Sequence, residues 1–233
     1  MNFSAQTTPQ PYVVVVDDDP GMLRSIGFML HAEKIRCLPF SGGEAFFEEL
    51  QTRPELLQGP GCLLLDLRMP GMSGLEVFER LMQREPDPTL AIIFITAHGE
   101  VSIVARVLKQ GAVDFIQKPF DAETMLRQLQ DYFEISRKRF VRKAAKADVL
   151  SKINDLTDKE QIVMSLLFEG LSNKEIAEKL SNSVRTIELR RASVYDKLHV
   201  RSVVEMTRLL ESIDWQADPA AVQGQGTGQI YRP

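Results

Sequence analysis

The sequence predicts an α/β fold in its first half, a doubly wound parallel sheet of five strands, followed by an all-α domain of four short helices. Three observations predict it. Up to residue 133, short apolar runs alternate five times with stretches of helical spacing, and such alternation makes a parallel sheet covered on both faces. From 156 to 213 there is no strand-like run. Between the two, 122–153 keeps a helical pattern without a break and turns strongly basic at RKRFVRKAAK, 137–146.

The elements follow in order. YVVVV (12–16) is a continuous β-branched run, the mark of a buried strand. Residues 20–32 space Met22, Ile26, Met29 and Leu30 as one helix face, with Asp19 as N-cap and Pro20 at the first helical position. The next four units pair strand 35–40 with helix 43–50, strand 62–66 with helix 74–83, strand 91–97 with helix 101–110, and strand 113–119 with helix 122–133. The C-terminal helices are expected at 158–169, 173–180, 184–198 and 202–212. Thr157 with Glu160 forms a capping-box pattern, and Gly170 suits a C-cap. The tail from 214 to 233 is rich in Gly, Gln and Pro and is expected to be disordered.

Composition narrows the function classes. No apolar run approaches the roughly 20 residues that span a bilayer, and the polar N-terminus lacks the apolar stretch of a secretory signal. A cytoplasmic protein with no membrane partner is expected. Cys37 and Cys62 are the only cysteines, and two buried free thiols are expected in a reducing compartment. Charge is uneven: 10 Lys and Arg face 16 Asp and Glu over 1–121, but 8 face 4 over 122–153. The two parts therefore suit different partners.

The chemistry gathers where the strands end. Asp17 and Asp18 follow the first strand, Asp66 ends the third, Thr96 the fourth, and Lys118 the fifth. In open parallel sheets the ligand site lies beyond these carboxyl ends. Three carboxylates there suit a hard divalent cation, with Mg²⁺ the usual choice beside phosphate. A hydroxyl and an ammonium opposite them suit phosphoryl oxygens, and an Asp carboxylate can itself accept a phosphoryl group. One Asp at a strand end is ordinarily a cap or a turn residue, as Asp19 is expected to be. Five such residues on four strands of one sheet are not explained that way.

VVVVDDD, LLLDLRMPGMSGLEV, FITAHGEV and GAVDFIQKPF together resemble the receiver domain of bacterial two-component response regulators, over 11–133. Thr96 and Lys118 follow Asp66 by 30 and 52 residues, the intervals of that family. The resemblance implies Asp66 as phosphoryl acceptor and Mg²⁺ held by Asp17, Asp18, Asp66 and the backbone carbonyl of Arg68. It implies Thr96 and Lys118 as readers of the phosphoryl group, and Thr96 and Phe115 as the switch pair. Arg68 and His98, two residues past Asp66 and Thr96, are expected at the rim, in the path of attacking water. Haloacid-dehalogenase-like phosphatases also form an aspartyl phosphate. They carry an acidic general acid two residues on, where this chain has Arg68, so a signal and not an enzyme is expected.

LTDKEQIVMSLLFEGLSNKEIAEKLSNSVRTIELRRASVYDKLHVRSVVEMTRLL (156–210) resembles the LuxR-type helix-turn-helix domain of FixJ/NarL regulators. That places a DNA-binding domain at 154–213, with 173–180 as scaffold helix and 184–198 as recognition helix. Ile176, Ala177, Leu180, Val184, Ile187, Val194 and Leu198 form its apolar face. Glu188 and Leu189 are expected to read bases beside Arg185 and Thr186, with Arg190, Arg191, Lys197 and Lys174 toward phosphates. Many members carry Asn/Val-His-Arg where this chain has Leu189-Arg190-Arg191, which implies a different target sequence. A protein-interaction module and a stand-alone receiver are the alternatives. The partners implied are a sensor histidine kinase, promoter DNA, RNA polymerase and, once phosphorylated, a second copy of the chain. The helical stretch 122–153, whose linker part is 134–153, places Leu126, Phe133, Phe140 and Ala147 at heptad spacing, either a dimer seam or a solvated or partly packed helix.

Overall fold

The computed structural model describes residues 9–97 and 101–216. His98 and the tail beyond residue 216 lie outside them. The chain divides between Lys143 and Ala144 into two compact units.

The first unit contains β1 (Tyr12–Val16), α1 (Pro20–Ala32), β2 (Arg36–Phe40), α2 (Gly43–Thr52), β3 (Gly61–Asp66), α3 (Gly74–Arg84), β4 (Ala91–Thr96), α4 (Val101–Lys109) and β5 (Asp114–Gln117). It also holds the first part of α5 (Ala122–Asn154). All strand pairs are parallel, in the order β2-β1-β3-β4-β5. The strand order reverses between β1 and β3, so the crevice opens beyond the ends of these two strands.

The valine run splits by strand period. Val14 and Val16 face one layer with Leu63, Leu65, Phe46, Phe78 and Phe94, while Val13 and Val15 face the other with Ile26, Leu30, Met125 and Leu129. Both layers are dry, which is why β1, β3 and β4 read as unbroken apolar runs. Asp19 caps α1 by accepting from Gly21 N–H at 2.7 Å.

The second unit holds the end of α5, then α6 (Asp158–Phe168), α7 (Asn173–Lys179), α8 (Val184–Leu198) and α9 (Val203–Glu211) around one core. The capping box at Thr157 and Glu160 is present, with a second at Ser172 and Glu175. Gly170, at φ +89°, ends α6: its N–H bonds Leu167 O and that of Leu171 bonds Leu166 O.

One expectation is corrected, and one left open is narrowed. Composition predicts a disordered tail from residue 214, but Trp215 is buried and meets Phe168 edge-on at 5.2 Å between ring centres. One aromatic among polar residues hides a core position. Of the readings left open for the linker, a dimer seam or a solvated or partly packed helix, its first half takes the packed one: Phe133, with Leu129 on the same stripe, is buried in its own unit. Ser136 continues that stripe, fully buried: its hydroxyl donates to Thr89 O and accepts from Gly61 N–H, both at 2.7 Å. One turn on, Arg139 donates to Leu90 O at 3.2 Å, Arg142 pairs with Asp87 at 2.6 Å, and Lys143 with Glu85 at 2.9 Å. The basic run is therefore matched by the acidic 85–90 loop.

Ser136→Ala would leave a buried N–H and a buried carbonyl without that partner. It is expected to cost about 2 kcal/mol of stability, read as a shift of the urea midpoint. A loss below about 0.5 kcal/mol, the range of an ordinary surface substitution, would show that the hydroxyl bridge carries no weight.

Candidate functional site

The crevice is built by strands that stop at one level. Asp17 N–H bonds Phe40 O at 3.1 Å, Leu67 N–H bonds Ile95 O at 3.1 Å, and Lys118 N–H bonds Thr96 O at 2.7 Å. Each ladder thus continues one residue into the site and fixes where the side chains leave it. Asp17, Asp18, Asp19, Asp66, Arg68, Thr96, Ala97 and Lys118 line a cleft of about 450 Å³. Asp17, Asp66 and Thr96 are buried at its floor, whereas Asp18 and Arg68 are exposed.

Lys118 sits at the centre. Its Nζ lies 2.7 Å from Asp17 Oδ2 and 2.7 Å from Asp66 Oδ1. The other oxygens are held too: Asp17 Oδ1 accepts from Asp19 N–H at 2.8 Å, and Asp66 Oδ2 from Arg68 N–H at 3.0 Å. Burial pushes the Asp66 carboxyl up, and Lys118 only partly offsets it. Burial pulls the Lys118 ammonium down, but its bonds to both carboxylates outweigh that and its net shift is upward.

The loop after Asp66 folds back tightly. A side chain at Gly74 would meet the carbonyl oxygen of Asp66 at 2.0 Å, so only glycine fits. Gly71 takes φ +72° beneath Glu44, whose Oε1 accepts from Met72 N–H at 2.8 Å. Glu44 is a site-supporting residue that sequence reasoning missed. Its only signal was an acid in the first turn of α2, which reads as a helix-dipole residue.

The sequence-expected cation ligands do not already surround a cation position. Among the described residues no three His, Cys, Asp or Glu side chains are so arranged. The positive charge among these carboxylates is Lys118. The donors still suit a hard cation: three carboxylates line one cleft, and one of them is short of positive charge. Phe115 stands on β5 beside Phe94 and is 39% exposed.

In the second unit, Ser183 caps α8 by accepting from Thr186 N–H at 3.1 Å, and the two hydroxyls bond at 2.8 Å. Arg185, Glu188, Leu189 and Ala192 form an exposed stripe, Leu189 at 61%, and Lys174 on α7 is exposed. Ile176, Ala177, Ile187, Val194 and Leu198 are buried as expected. Val184 is not: it opens the helix and is exposed. Arg190 is half-buried, and Arg191 donates to Asn173 Oδ1 at 3.1 Å and lies over the Tyr195 ring. Lys197, expected toward phosphate, is bonded within its own unit. Its ammonium bonds Glu160 Oε2 at 2.7 Å and Asp155 O at 3.2 Å, so it is committed inside the unit. No described helix is long and apolar enough to cross a membrane.

Residues 13–130 match the response regulator receiver domain, and 154–210 match the luxR family of bacterial regulatory proteins. The transcriptional regulatory protein FixJ of Bradyrhizobium diazoefficiens is 34% identical over 87% of this chain and 95% of its own length. The C4-dicarboxylate transport transcriptional regulatory protein DctR of Rhodobacter capsulatus is 32% identical over 84% and 98%. Among solved structures, the response regulator StyR is 33% identical, covers 87% of this chain and 99% of its own, and superposes with a TM-score of 0.71.

With chelator present, Asp66→Asn is expected to melt no lower than wild type at pH 7, because it removes a carboxylate that burial disfavours. A raised folded pKa means the native state takes up the proton first as pH falls, so wild type gains on the mutant on approach to the usual value of 3.8. A mutant clearly less stable at pH 7, or a gap that widens on acidification, contradicts the assignment.

Proposed function

Because the chain belongs to the response regulators that join a receiver domain to a LuxR-type DNA-binding domain, phosphorylation-dependent regulators of transcription, we propose that Asp66 is its phosphoryl acceptor and that the exposed stripe of α8 reads promoter DNA. Membership implies a histidine kinase and DNA as partners. The observation that carries the first assignment is the single ammonium of Lys118 at 2.7 Å from both Asp17 and Asp66, with Thr96 buried on the same floor.

The transfer is a displacement at phosphorus. The N–P bond of a kinase phosphohistidine breaks, a bond forms to an Asp66 carboxylate oxygen, and the imidazole leaves with the electron pair. Lys118 holds the carboxylate in place and then faces phosphoryl oxygens. Thr96 offers its hydroxyl to one of them. Receiver domains generally bind Mg²⁺ at this place; Asp17, Asp18, Asp66 and the Arg68 carbonyl would hold it, and when bound it would supply positive charge against that of the incoming group. Thr96 turning toward the phosphoryl group opens space beside β5 for Phe115, which biases a two-state surface. The surface around α4, β5 and the start of α5 then pairs with a second copy about a two-fold axis. The dimer, placed in the cytoplasm, presents α8 in the major groove and recruits RNA polymerase. Arg68 stands where a hydrolase of this chemistry needs an acid, so the aspartyl phosphate serves as a signal.

Two outcomes test this reading. Wild type is expected to take up label from radioactive acetyl phosphate with Mg²⁺, and Asp66→Asn to take up none; label on the mutant would remove Asp66 from the role. In selection from random duplexes, Glu188→Ala is expected to change base preference by roughly 1–3 kcal/mol at one base pair. Lys174→Ala is expected to weaken all sequences alike and to flatten the salt dependence by about one unit of slope. An unchanged preference for Glu188→Ala would take that residue out of base reading.

A further inference from the structure

Among the described residues there are three serine- or threonine-led capping boxes, and two of them end at the helix they cap. Glu76 and Glu175 are engaged in hydrogen bonding only with Ser73 and Ser172, on the surface. The third is different. Glu160 is buried, and its Oε2 accepts from Thr157 N–H at 2.7 Å, Thr157 Oγ1 at 2.9 Å and Lys197 Nζ at 2.7 Å. Its Oε1 accepts from Ser193 Oγ at 2.5 Å. Ser193 and Lys197 lie one turn apart on α8, so two residues of that helix grip one carboxylate on α6.

The grip extends to the end of α5. The last carbonyls of a helix have no partner within it. Here Lys197 takes Asp155 O, and the Gln161 amide donates to Ile153 O and Leu156 O, both at 3.2 Å. Burial alone would raise the Glu160 carboxyl, yet the Lys197, Ser193 and Thr157 donors override it and hold it down to about 2. The carboxylate is buried, and the ammonium, on a side chain 35% exposed, is held by two oxygens of its own unit. A helix-turn-helix domain, in turn, needs its reading helix held at a fixed attitude to the elements that carry it.

We propose that Glu160 and Lys197 are positioning residues that lock α8 to the end of α5 and the start of α6, so that DNA affinity depends on a buried carboxylate that never touches DNA. This rests on the DNA-binding reading above. It opposes simple electrostatics, in which loss of an acid strengthens binding to a polyanion and loss of a lysine removes a phosphate contact.

The test measures binding of the full chain to a duplex enriched by the wild type from random DNA, across a salt series. Glu160→Gln is expected to bind at least tenfold more weakly at unchanged salt slope, although it removes a negative charge. Lys197→Met is expected to lose a similar factor, also at unchanged slope, and Lys197→Arg to restore most of it. The double variant should lose less than the product of the two single losses. Ser193→Ala, which changes no charge, should lose several-fold and covers the case in which a charge variant fails to fold by circular dichroism. Glu160→Gln binding as tightly as wild type, a fall of about one in the slope for Lys197→Met, or wild-type affinity in Ser193→Ala would each overturn the proposal. Wild type without salt-dependent binding would instead sink the DNA-binding reading, and this proposal with it.

Discussion

Two carboxylates buried within reach of one ammonium set the terms for the first unit. Asp17 and Asp66 leave adjacent parallel strands at the same level, and without Lys118 they would repel each other in a place where water screens little. The ammonium arrives from the fifth strand, two places beyond β3, and reaches across β4 to them. That reach requires β1, β3, β4 and β5 in register, which in turn requires the two apolar layers on either side of the sheet. The site and the core therefore impose the same alignment. A phosphoryl group arriving at Asp66, the proposed acceptor, would enter this arrangement as a new anion, and the ammonium that balanced two charges would then face more. Such a change in local charge balance is what can move Thr96 and reshape the surface near Phe115.

Much of this is legible in the sequence, for physical reasons. Parallel strands buried on both faces cannot alternate, so YVVVV, CLLLD and AIIFIT announce themselves. Polar residues that end such runs must share one edge, and that alone gathers Asp17, Asp66, Thr96 and Lys118 into one crevice. Caps are readable because S/T-x-x-E is a local pattern that binds its own backbone. The C-terminal helices show through the spacing of Ile187, Val194 and Leu198.

What stays hidden depends on contacts between distant segments. The reach of Lys118 to two carboxylates at once has no sequence signature. Lys197 looks like any basic residue on a reading helix, because its partners lie 37 and 42 residues away on other elements. Ser136 reads as a polar flaw in a heptad, since hydrogen bonding to Thr89 and Gly61 is invisible locally. Trp215 stands in a stretch whose composition signals disorder, and one aromatic does not shift such an average. In the last three cases the sequence points outward a side chain whose partners lie inside.

The course of α5 bears on how the molecule can be dissected. Strand–helix alternation stops near Phe133, and a fragment cut there looks complete on paper. Such a fragment would lack Ser136 beneath Thr89 and Gly61, along with the three cations that meet the 85–90 loop. Its loss of stability would then be mistaken for a property of the sheet. The break in packing falls nearly three turns later, after Lys143, within an unbroken helix with no glycine or proline to mark it. Homologous swaps between regulators of this build would have to splice there, helix to helix and in phase, because a residue gained or lost at the junction rotates everything downstream by about a hundred degrees.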